Sequence, residues 1–279
     1  NGFTDQILEP LKPTSIPTSN VDQIHGAASP EVVFPLVGRE SECAVLQSFL
    51  QRSLGVGTTG ERCLYVSGGP GTGKTCSVRA AVHQLPKAHV FEVNCMDLSQ
   101  RSVAGFSDRL AQKCVDSLGG TNADHARCRL ARQASPVGAA VAALRMINGP
   151  TVIIIDEVYQ LVRRGGRSSG SSGDLEDLLS LAQQPEGLPV AIILIANAVD
   201  LLTRANLCLG CASLLFTPYD KDQLRQIAMA RLDMSGITAA LDKATVEVRV
   251  RQVAKQSGDC RQVLAMCEDA KFMSADATG

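Results

Sequence analysis

The chain has 279 residues, of which 45% are hydrophobic and 20% are charged, and its formal net charge is −1. This balance excludes a general polycation, so any contact with nucleic acid must come from a local basic patch. We expect no membrane partner, because the sequence has no apolar run near the roughly 20 residues that a spanning helix needs. The chain begins at Asn1 rather than Met, and we therefore expect it to be part of a longer protein.

The ten cysteines follow no regular spacing, which in a chain of this length predicts reduced thiols that act as small buried hydrophobes. Cys208 and Cys211 have the spacing of two zinc ligands. A tetrahedral zinc site needs about four ligands, and neither a second pair nor a nearby histidine completes this one. The sequence therefore favours two ordinary thiols.

The predicted elements begin after residues 1–35, which carry five prolines and no sustained hydrophobic period. We predict that this stretch is a flexible extension. A helix is predicted from Ser41 to Ser53, since its apolar residues fall on one face.

Five short apolar runs that follow predict β-strands, with helices between them. This alternation indicates an α/β domain over 36–218, built on a parallel sheet with helices on both sides. The predicted strands are 63–67, 89–94, 152–156, 190–197 and 214–216. The predicted helices are a segment that ends at Leu85 and the segments 102–118, 137–147 and 175–182. The glycine- and serine-rich stretch 165–173 is either a natural loop or an engineered linker.

Residues 98–149 contain seven basic and three acidic residues, which gives this segment a net charge of +4. Solvated helix faces and a DNA-binding patch both explain the excess. The chain has no Trp, three Tyr and seven Phe, which argues against recognition by base stacking.

The pattern changes after Pro218 to helices alone. Asp220 and Gln223 have the spacing of a capping box, and the apolar residues that follow share one helical face. Two more helices are predicted over 239–256 and 259–273. We predict a small all-helical lid domain over 219–279.

Residues 68–75 read GGPGTGKT and match the pattern G-x-x-x-x-G-K-[ST]. The glycines let backbone N–H groups turn towards phosphates, and the helix that starts at Lys74 adds its positive end. Lys74 would supply a charge near the β and γ phosphates, and Thr75 would ligate Mg²⁺. A strand before this loop and a helix after it are the context that such a site requires.

Polar residues follow two of the predicted strands. Asp156 and Glu157 end the run Val152–Ile155, and we expect Asp156 to hold Mg²⁺ and Glu157 to activate a water. Asn197 ends the next strand and could orient that water. Arg261 lies in the first turn of the last helix if Asp259 is its N-cap, from where it could reach a nucleotide between the two domains.

Taken together, these motifs resemble the initiator clade of the AAA+ ATPases, the family of the largest origin-recognition-complex subunit and of cell-division-cycle protein six. The resemblance covers about residues 29–270, in the family's order and at roughly its spacing. It lies in SPEVVFPLVGRE, YVSGGPGTGKT, VFEVNCMDLS, IIIDEVYQL, IANAVDLLTR, FTPYDKDQL and SGDCRQVL. The IAN-x-x-DL and SGD-x-R motifs distinguish this clade from clamp loaders.

The resemblance implies that ATP or ADP binds between the α/β domain and the lid. Asp156 and Glu157 would form the Walker B pair, with Asn197 as sensor 1 and Arg261 as sensor 2. DNA contacts would come from the segment 96–105, above all from Met96 and Arg101. The implied nucleotide-binding residues are Gly69, Pro70, Gly71, Thr72, Gly73, Lys74, Thr75, Cys76, Val37, Arg39 and Tyr219.

The resemblance also implies nuclear localisation and three kinds of partner: other initiator AAA+ subunits, double-stranded DNA and the replicative helicase. One departure concerns Cys208, which stands where many members carry an arginine finger, and Arg204 is the nearby alternative. Two other functions stay open. The chain could belong to another AAA+ machine, such as a clamp loader or a remodelling ATPase, or it could be an ATP-holding scaffold that does not hydrolyse.

Overall fold

The computed structural model describes residues 36–55, 61–98, 106–118, 136–147, 149–160, 189–199, 211–234 and 243–276. All of them belong to one compact unit, Val33–Gly279. The predictions for the N-terminal extension, Arg101, the stretch 165–173, the helix 175–182 and Cys208 lie outside the described residues.

The described strands form one five-stranded parallel sheet, in the order β2-β3-β4-β1-β5. The α/β prediction is therefore confirmed, and four predicted strands agree with the structure to within one residue. The last strand is longer than predicted, because it starts at Cys211 rather than at residue 214. The strands are β1 (Cys63–Gly68), β2 (His89–Asn94), β3 (Thr151–Asp156), β4 (Val190–Ala196) and β5 (Cys211–Phe216).

The central strands alternate their side chains between two hydrophobic clusters, one on each face of the sheet. Ile153 and Ile155 of β3 belong to one cluster, whereas Val152 and Ile154 belong to the other. Since both faces are buried, β3 and β4 read as continuous apolar runs rather than as alternating ones.

Helices cover both faces of the sheet. One cluster includes buried residues of α4 and α5, and the opposite cluster includes buried residues of α1 and α2. These helices are α1 (Glu40–Leu54), α2 (Lys74–His83), α3 (Cys95–Leu98), α4 (Phe106–Leu118) and α5 (Pro136–Met146).

Three helices follow β5 and pack around a hydrophobic cluster of their own: α6 (Lys221–Met234), α7 (Lys243–Gln256) and α8 (Cys260–Asp276). The predicted capping box is present at the start of α6. The Gln223 backbone N–H donates to Asp220 Oδ1 at 2.8 Å, and the Asp220 N–H donates to Gln223 Oε1 at 3.0 Å. The division into separate domains at residue 218 stays a prediction.

The prediction that the cysteines are reduced thiols is wrong for Cys63 and Cys211, whereas the six other cysteines that the structure describes form no disulfide. The structure pairs Cys63 of β1 with Cys211 of β5 as a disulfide, because the two residues stand directly opposite in the parallel register with a Cα–Cα distance of 4.8 Å. No group of three or more potential metal ligands occurs among the described residues. Within the same residues, no helix combines the length and the apolar character needed to cross a membrane.

Candidate functional site

The candidate site is built at the carboxyl edge of the sheet, where three neighbouring strands end. β1 leads into the glycine loop at Gly68, β3 ends at Asp156, and Asn197 comes directly after β4. Since β3, β4 and β1 are adjacent in the sheet, residues that are far apart in sequence meet at this edge.

Three glycines of the loop have backbone conformations that disfavour other residues, and the first of them, Gly68, has a φ of +147°. Gly71 and Gly73 have φ angles of +65° and +85°, in the left-handed region. Gly73 immediately precedes α2, and its turn directs the loop into the start of that helix. Thr72 is buried and donates its hydroxyl to the Gly69 carbonyl at 2.9 Å, whereas Pro70 is exposed.

The Lys74 ammonium folds back over this loop. Its Nζ donates to the carbonyl oxygens of Gly68 and Gly69, at 2.9 and 2.7 Å, and to Asn197 Oδ1 at 3.0 Å. Burial lowers the pKa of Lys74, while the negative charges of Glu157 and Asp156 act in the opposite direction. The loop, the lysine and the residue after β4 thus form one hydrogen-bonded unit.

Thr75 and Asp156 place two hard oxygen ligands side by side. The Thr75 hydroxyl donates to Asp156 Oδ2 at 2.9 Å, and the other carboxylate oxygen accepts the Glu157 backbone N–H at 2.8 Å. A hydroxyl and a carboxylate suit Mg²⁺, which takes few protein ligands and fills its shell with phosphate oxygens and waters. These two residues therefore fit the predicted metal role.

Glu157 carries backbone strain, since its φ of 55° makes it the one non-glycine residue with positive φ in the described part of the chain. Its carboxylate faces Asn197, whose Nδ2 lies 3.4 Å from both oxygens. Burial raises the pKa of Glu157, and the neighbouring Asp156 carboxylate raises it further. A half-buried carboxylate with a raised pKa is suited to proton transfer.

The helices after β5 cover the glycine loop from outside. A Cβ on Gly73 would lie 2.5 Å from the Tyr219 hydroxyl, and a Cβ on Gly71 would lie 1.5 Å from Asp259 Oδ1. The Cys260 N–H also donates to the Gly71 carbonyl at 3.2 Å. Tyr219 and the start of α8 therefore touch the same loop that Lys74 folds over.

Asp259 is the N-cap of α8, which is the condition under which Arg261 was placed in the first turn, and it also holds Arg261. Its Oδ1 accepts the Arg261 backbone N–H at 3.0 Å, and the guanidinium donates to both oxygens from Nε and Nη2. The Arg261 side chain is 64% exposed, while that of Asp259 is 10% exposed. The contact of Asp259 with Gly71 was not predicted, because the SGD motif indicates a cap but not what packs against it.

Arg39 is buried next to two aromatic rings, with its guanidinium carbon 4.0 Å from the Tyr219 centroid and 5.3 Å from the Phe216 centroid. Its two terminal nitrogens donate to Glu42 and to the Thr217 carbonyl, each at 2.5 Å. The guanidinium therefore contacts protein groups, and the adenine contact implied by the resemblance stays a prediction for this residue.

The turn before α1 also meets the C-terminal helices, since Gln223 Nε2 donates to the Gly38 carbonyl at 3.2 Å. Val37 lies in this turn and is half-buried, and Cys76 is exposed on the first turn of α2. Residues predicted for adenine thus lie where α6 contacts the N-terminal turn.

The predicted DNA contact at Met96 lies on α3, beyond the end of β2. Met96 is exposed, and its sulfur accepts a hydrogen bond from Gln160 Nε2 at 3.0 Å. Nothing in these contacts tests a role in DNA binding, which stays a prediction.

Comparison with known proteins gives the family. The profile of the ATPase family associated with various cellular activities (AAA) matches residues 64–217, which is more than half of the chain. The chain belongs to this family. The matched segment of this AAA protein contains the glycine loop, Asp156, Glu157 and Asn197.

Among curated relatives, this AAA protein is 29% identical over 282 residues to origin recognition complex subunit 1 of Rattus norvegicus, across 95% of the chain and 30% of the relative. It is 26% identical over 280 residues to cell division control protein 18 of Schizosaccharomyces pombe, across 84% of the chain and 45% of the relative. The resemblance to the initiator clade is therefore confirmed. The chain spans less than half the length of these relatives.

Solved structures with the same fold include the Aeropyrum pernix ORC1 protein in complex with DNA, with a TM-score of 0.63 and 20% identity over 89% of this chain and 63% of that one. A structure of Drosophila ORC bound to DNA matches with a TM-score of 0.56 and 14% identity over 87% of this chain and 62% of that one. These likenesses establish the AAA+ fold.

Proposed function

We propose that this AAA protein binds ATP with Mg²⁺, hydrolyses it slowly and acts as an initiator subunit of DNA replication. The observation that supports the nucleotide site is the convergence of Lys74, Thr75, Asp156 and Asn197 at one sheet edge. Lys74 donates to Asn197 at 3.0 Å, and Thr75 donates to Asp156 at 2.9 Å. The initiator role rests on the similarity to origin recognition complex subunit 1 and cell division control protein 18.

Each residue has a chemical task in this proposal. Lys74 leaves its carbonyl partners for the β and γ phosphates, where backbone N–H groups of the loop also donate. Thr75 and Asp156 would hold Mg²⁺, which would stabilise the phosphate charge. Glu157 accepts a proton from the attacking water, while Asn197 orients both the water and the Glu157 carboxylate.

Arg261 is proposed to contact the γ-phosphate from the C-terminal helices and so to distinguish ATP from ADP. A contact between an arginine and a phosphate is favourable because charge-assisted hydrogen bonds are strong. Nucleotide state would then control assembly with other initiator AAA+ subunits on double-stranded DNA, and through them loading of the replicative helicase in the nucleus. Hydrolysis would be slow without an arginine finger from a partner subunit.

The test is nucleotide binding by Lys74→Ala, measured by calorimetry with ATP and ADP in the presence of Mg²⁺. We expect binding to be lost, because the loop would lose the cation that joins it to the phosphates. Lys255→Ala, at an exposed position on α7, is the matched control and should bind as the wild type does. Unchanged affinity in Lys74→Ala would refute the proposed site.

A second arm of this experiment separates binding from hydrolysis. Glu157→Gln keeps the side-chain shape and should bind ATP but lose single-turnover hydrolysis, since it removes the proton acceptor. Equal hydrolysis in wild type and Glu157→Gln would contradict the role of Glu157. A wild type that binds ATP but never hydrolyses it, even with partner subunits and DNA, would instead support the scaffold function.

A further inference from the structure

Asp259 contacts both the glycine loop and the side chain of Arg261, neither of which a simple helix cap needs. Its Oδ1 lies against Gly71, so closely that a Cβ on that glycine would be 1.5 Å away, and the next residue donates its N–H to the Gly71 carbonyl. Asp259 is also 7% exposed, which is low for a carboxylate that starts a helix. The carboxylate is thus enclosed between the glycine loop and α8.

The same carboxylate fixes the orientation of Arg261. Nε lies 3.0 Å from Oδ1 and 3.2 Å from Oδ2, and Nη2 lies 2.7 Å from Oδ2. This fork uses one edge of the planar guanidinium, so the opposite edge points in a defined direction. A guanidinium 64% exposed on a long side chain would otherwise sample many rotamers.

Charge also ties this pair to the phosphate loop. The hydrogen bond from Arg261 is the main reason that the pKa of Asp259 is lowered, and the positive charge of Lys74 acts in the same direction. The hydrogen bond to Asp259 is the main reason that the pKa of Arg261 is raised, and the negative charge of Glu157 acts in the same direction. Asp259 and Arg261 therefore lie within the electrostatic reach of Lys74 and Glu157.

We propose that Asp259 is a positioning residue that holds Arg261 and Gly71 as one unit, so that Arg261 meets the γ-phosphate in a fixed orientation. This inference rests on the proposed ATP site and assigns a role to Asp259 beyond capping. It implies that the preference for ATP over ADP depends on the carboxylate of Asp259 and not only on Arg261.

The experiment measures the ratio of ADP to ATP dissociation constants by calorimetry with Mg²⁺, for wild type, Asp259→Asn, Arg261→Ala and the double variant. Asn is as good an N-cap as Asp, so helix α8 should be kept, while the two-oxygen fork is lost. We expect Asp259→Asn to reduce the ratio by about tenfold, the size of one charge-assisted hydrogen-bond pair. The double variant should fall no further than Arg261→Ala alone, because both act through one guanidinium.

Other roles of Asp259 predict different results. Removing a negative charge near the phosphates would strengthen ATP binding at least as much as ADP binding, because ATP carries the larger negative charge, and a purely structural role would weaken both alike. Neither outcome lowers the ratio, so either would overturn the inference, as would effects that multiply in the double variant. A wild-type ratio near one would do the same, since Arg261 would then sense no γ-phosphate.

Two controls separate this inference from the proposed function. Asp222→Asn breaks a comparable pair, Arg225 Nη2 to Asp222 Oδ1 at 2.9 Å on α6, and should leave the ratio unchanged. Asp259→Ser, a second good N-cap, repeats the test if Asp259→Asn unfolds, as judged by circular dichroism. If wild type binds neither nucleotide, the proposed function is wrong; if it binds both and only the ratio is insensitive, Asp259 alone is misassigned.

Discussion

Gly73 is constrained by its own backbone and by the side chain of Tyr219, which is distant in the sequence. Its φ of +85° disfavours any residue with a Cβ, and the Tyr219 hydroxyl occupies the space that a Cβ would take. Gly69, four residues earlier in the same loop, has neither constraint, because a Cβ there would meet only Thr72 Cγ2 at 3.9 Å. Two glycines of one motif therefore differ in what they tolerate.

We predict that Gly73→Ala lowers the free energy of unfolding by at least about 1–2 kcal/mol, the cost of a left-handed conformation at a non-glycine residue. Gly69→Ala should change it by less than about 1 kcal/mol. Urea denaturation followed by circular dichroism measures both. Adding Tyr219→Phe to Gly73→Ala should recover part of the loss, since it removes the overlapping hydroxyl; no recovery would mean that Tyr219 does not limit this position.

At the scale of single residues, the sequence predicted which side chains meet at the sheet edge better than it predicted what packs around them. Phosphate and Mg²⁺ require particular residue types at particular spacings. Lys74 and Thr75, and the carboxylates after an apolar run, match those requirements and could therefore be selected from the sequence. The contact of Arg39 with Phe216 and Tyr219 could not be predicted, because Arg39 lies about 180 residues before both aromatic residues and no local rule joins them.

Among the elements, α7 shows how one helix divides between core and solvent. Val250 is fully buried in the cluster shared with α6 and α8, whereas Val248, two positions earlier, is 66% exposed. Positions two residues apart in an α-helix are separated by about 200° around its axis. The two valines therefore face opposite environments although their side chains are identical.

We predict that Val250→Ala lowers the free energy of unfolding by about 2 kcal/mol, through lost burial and the cavity that remains. Val248→Ala, the matched control in the same helix, should change it by less than about 0.5 kcal/mol. Chemical denaturation of both variants checks the difference. If the two substitutions cost the same, the assignment of the buried face of α7 is wrong.

Element prediction succeeded where burial produced an unmistakable pattern. β3 and β4 are covered on both faces, and their continuous aliphatic runs could be assigned from sequence. β5 was predicted too short, since its burial is partial and its first half, Cys-Ala-Ser, lacks the apolar pattern of a central strand. The pairing of Cys63 with Cys211 was missed for a different reason, because it depends on which strands become neighbours in the sheet.

For the whole molecule, the two ends of the described chain meet at the proposed nucleotide site. The turn before α1 contacts α6 through Gly38 and Gln223, and α8 contacts the glycine loop through Asp259. A ligand gripped between these parts would stabilise the fold as a unit, by an amount set by its concentration relative to its dissociation constant.

We predict that ATP with Mg²⁺, at about 100 times its dissociation constant, stabilises the folded protein by roughly 2.7 kcal/mol. Thermal melting should show a matching rise of the midpoint in wild type and none in Lys74→Ala, which lacks the cation for the phosphates. A rise of equal size in both proteins would indicate that ATP binds elsewhere.

The order of the strands in the sheet affects how the protein can fold during its synthesis. β1 is the earliest described strand in the chain, yet its neighbours in the sheet, β4 and β5, are the last two. Its hydrogen-bonding edges must therefore wait until more than a hundred further residues have been translated, a situation that invites wrong pairing. We expect the nascent polypeptide to depend on chaperones during this interval and to become able to hold a nucleotide only near the end of its synthesis.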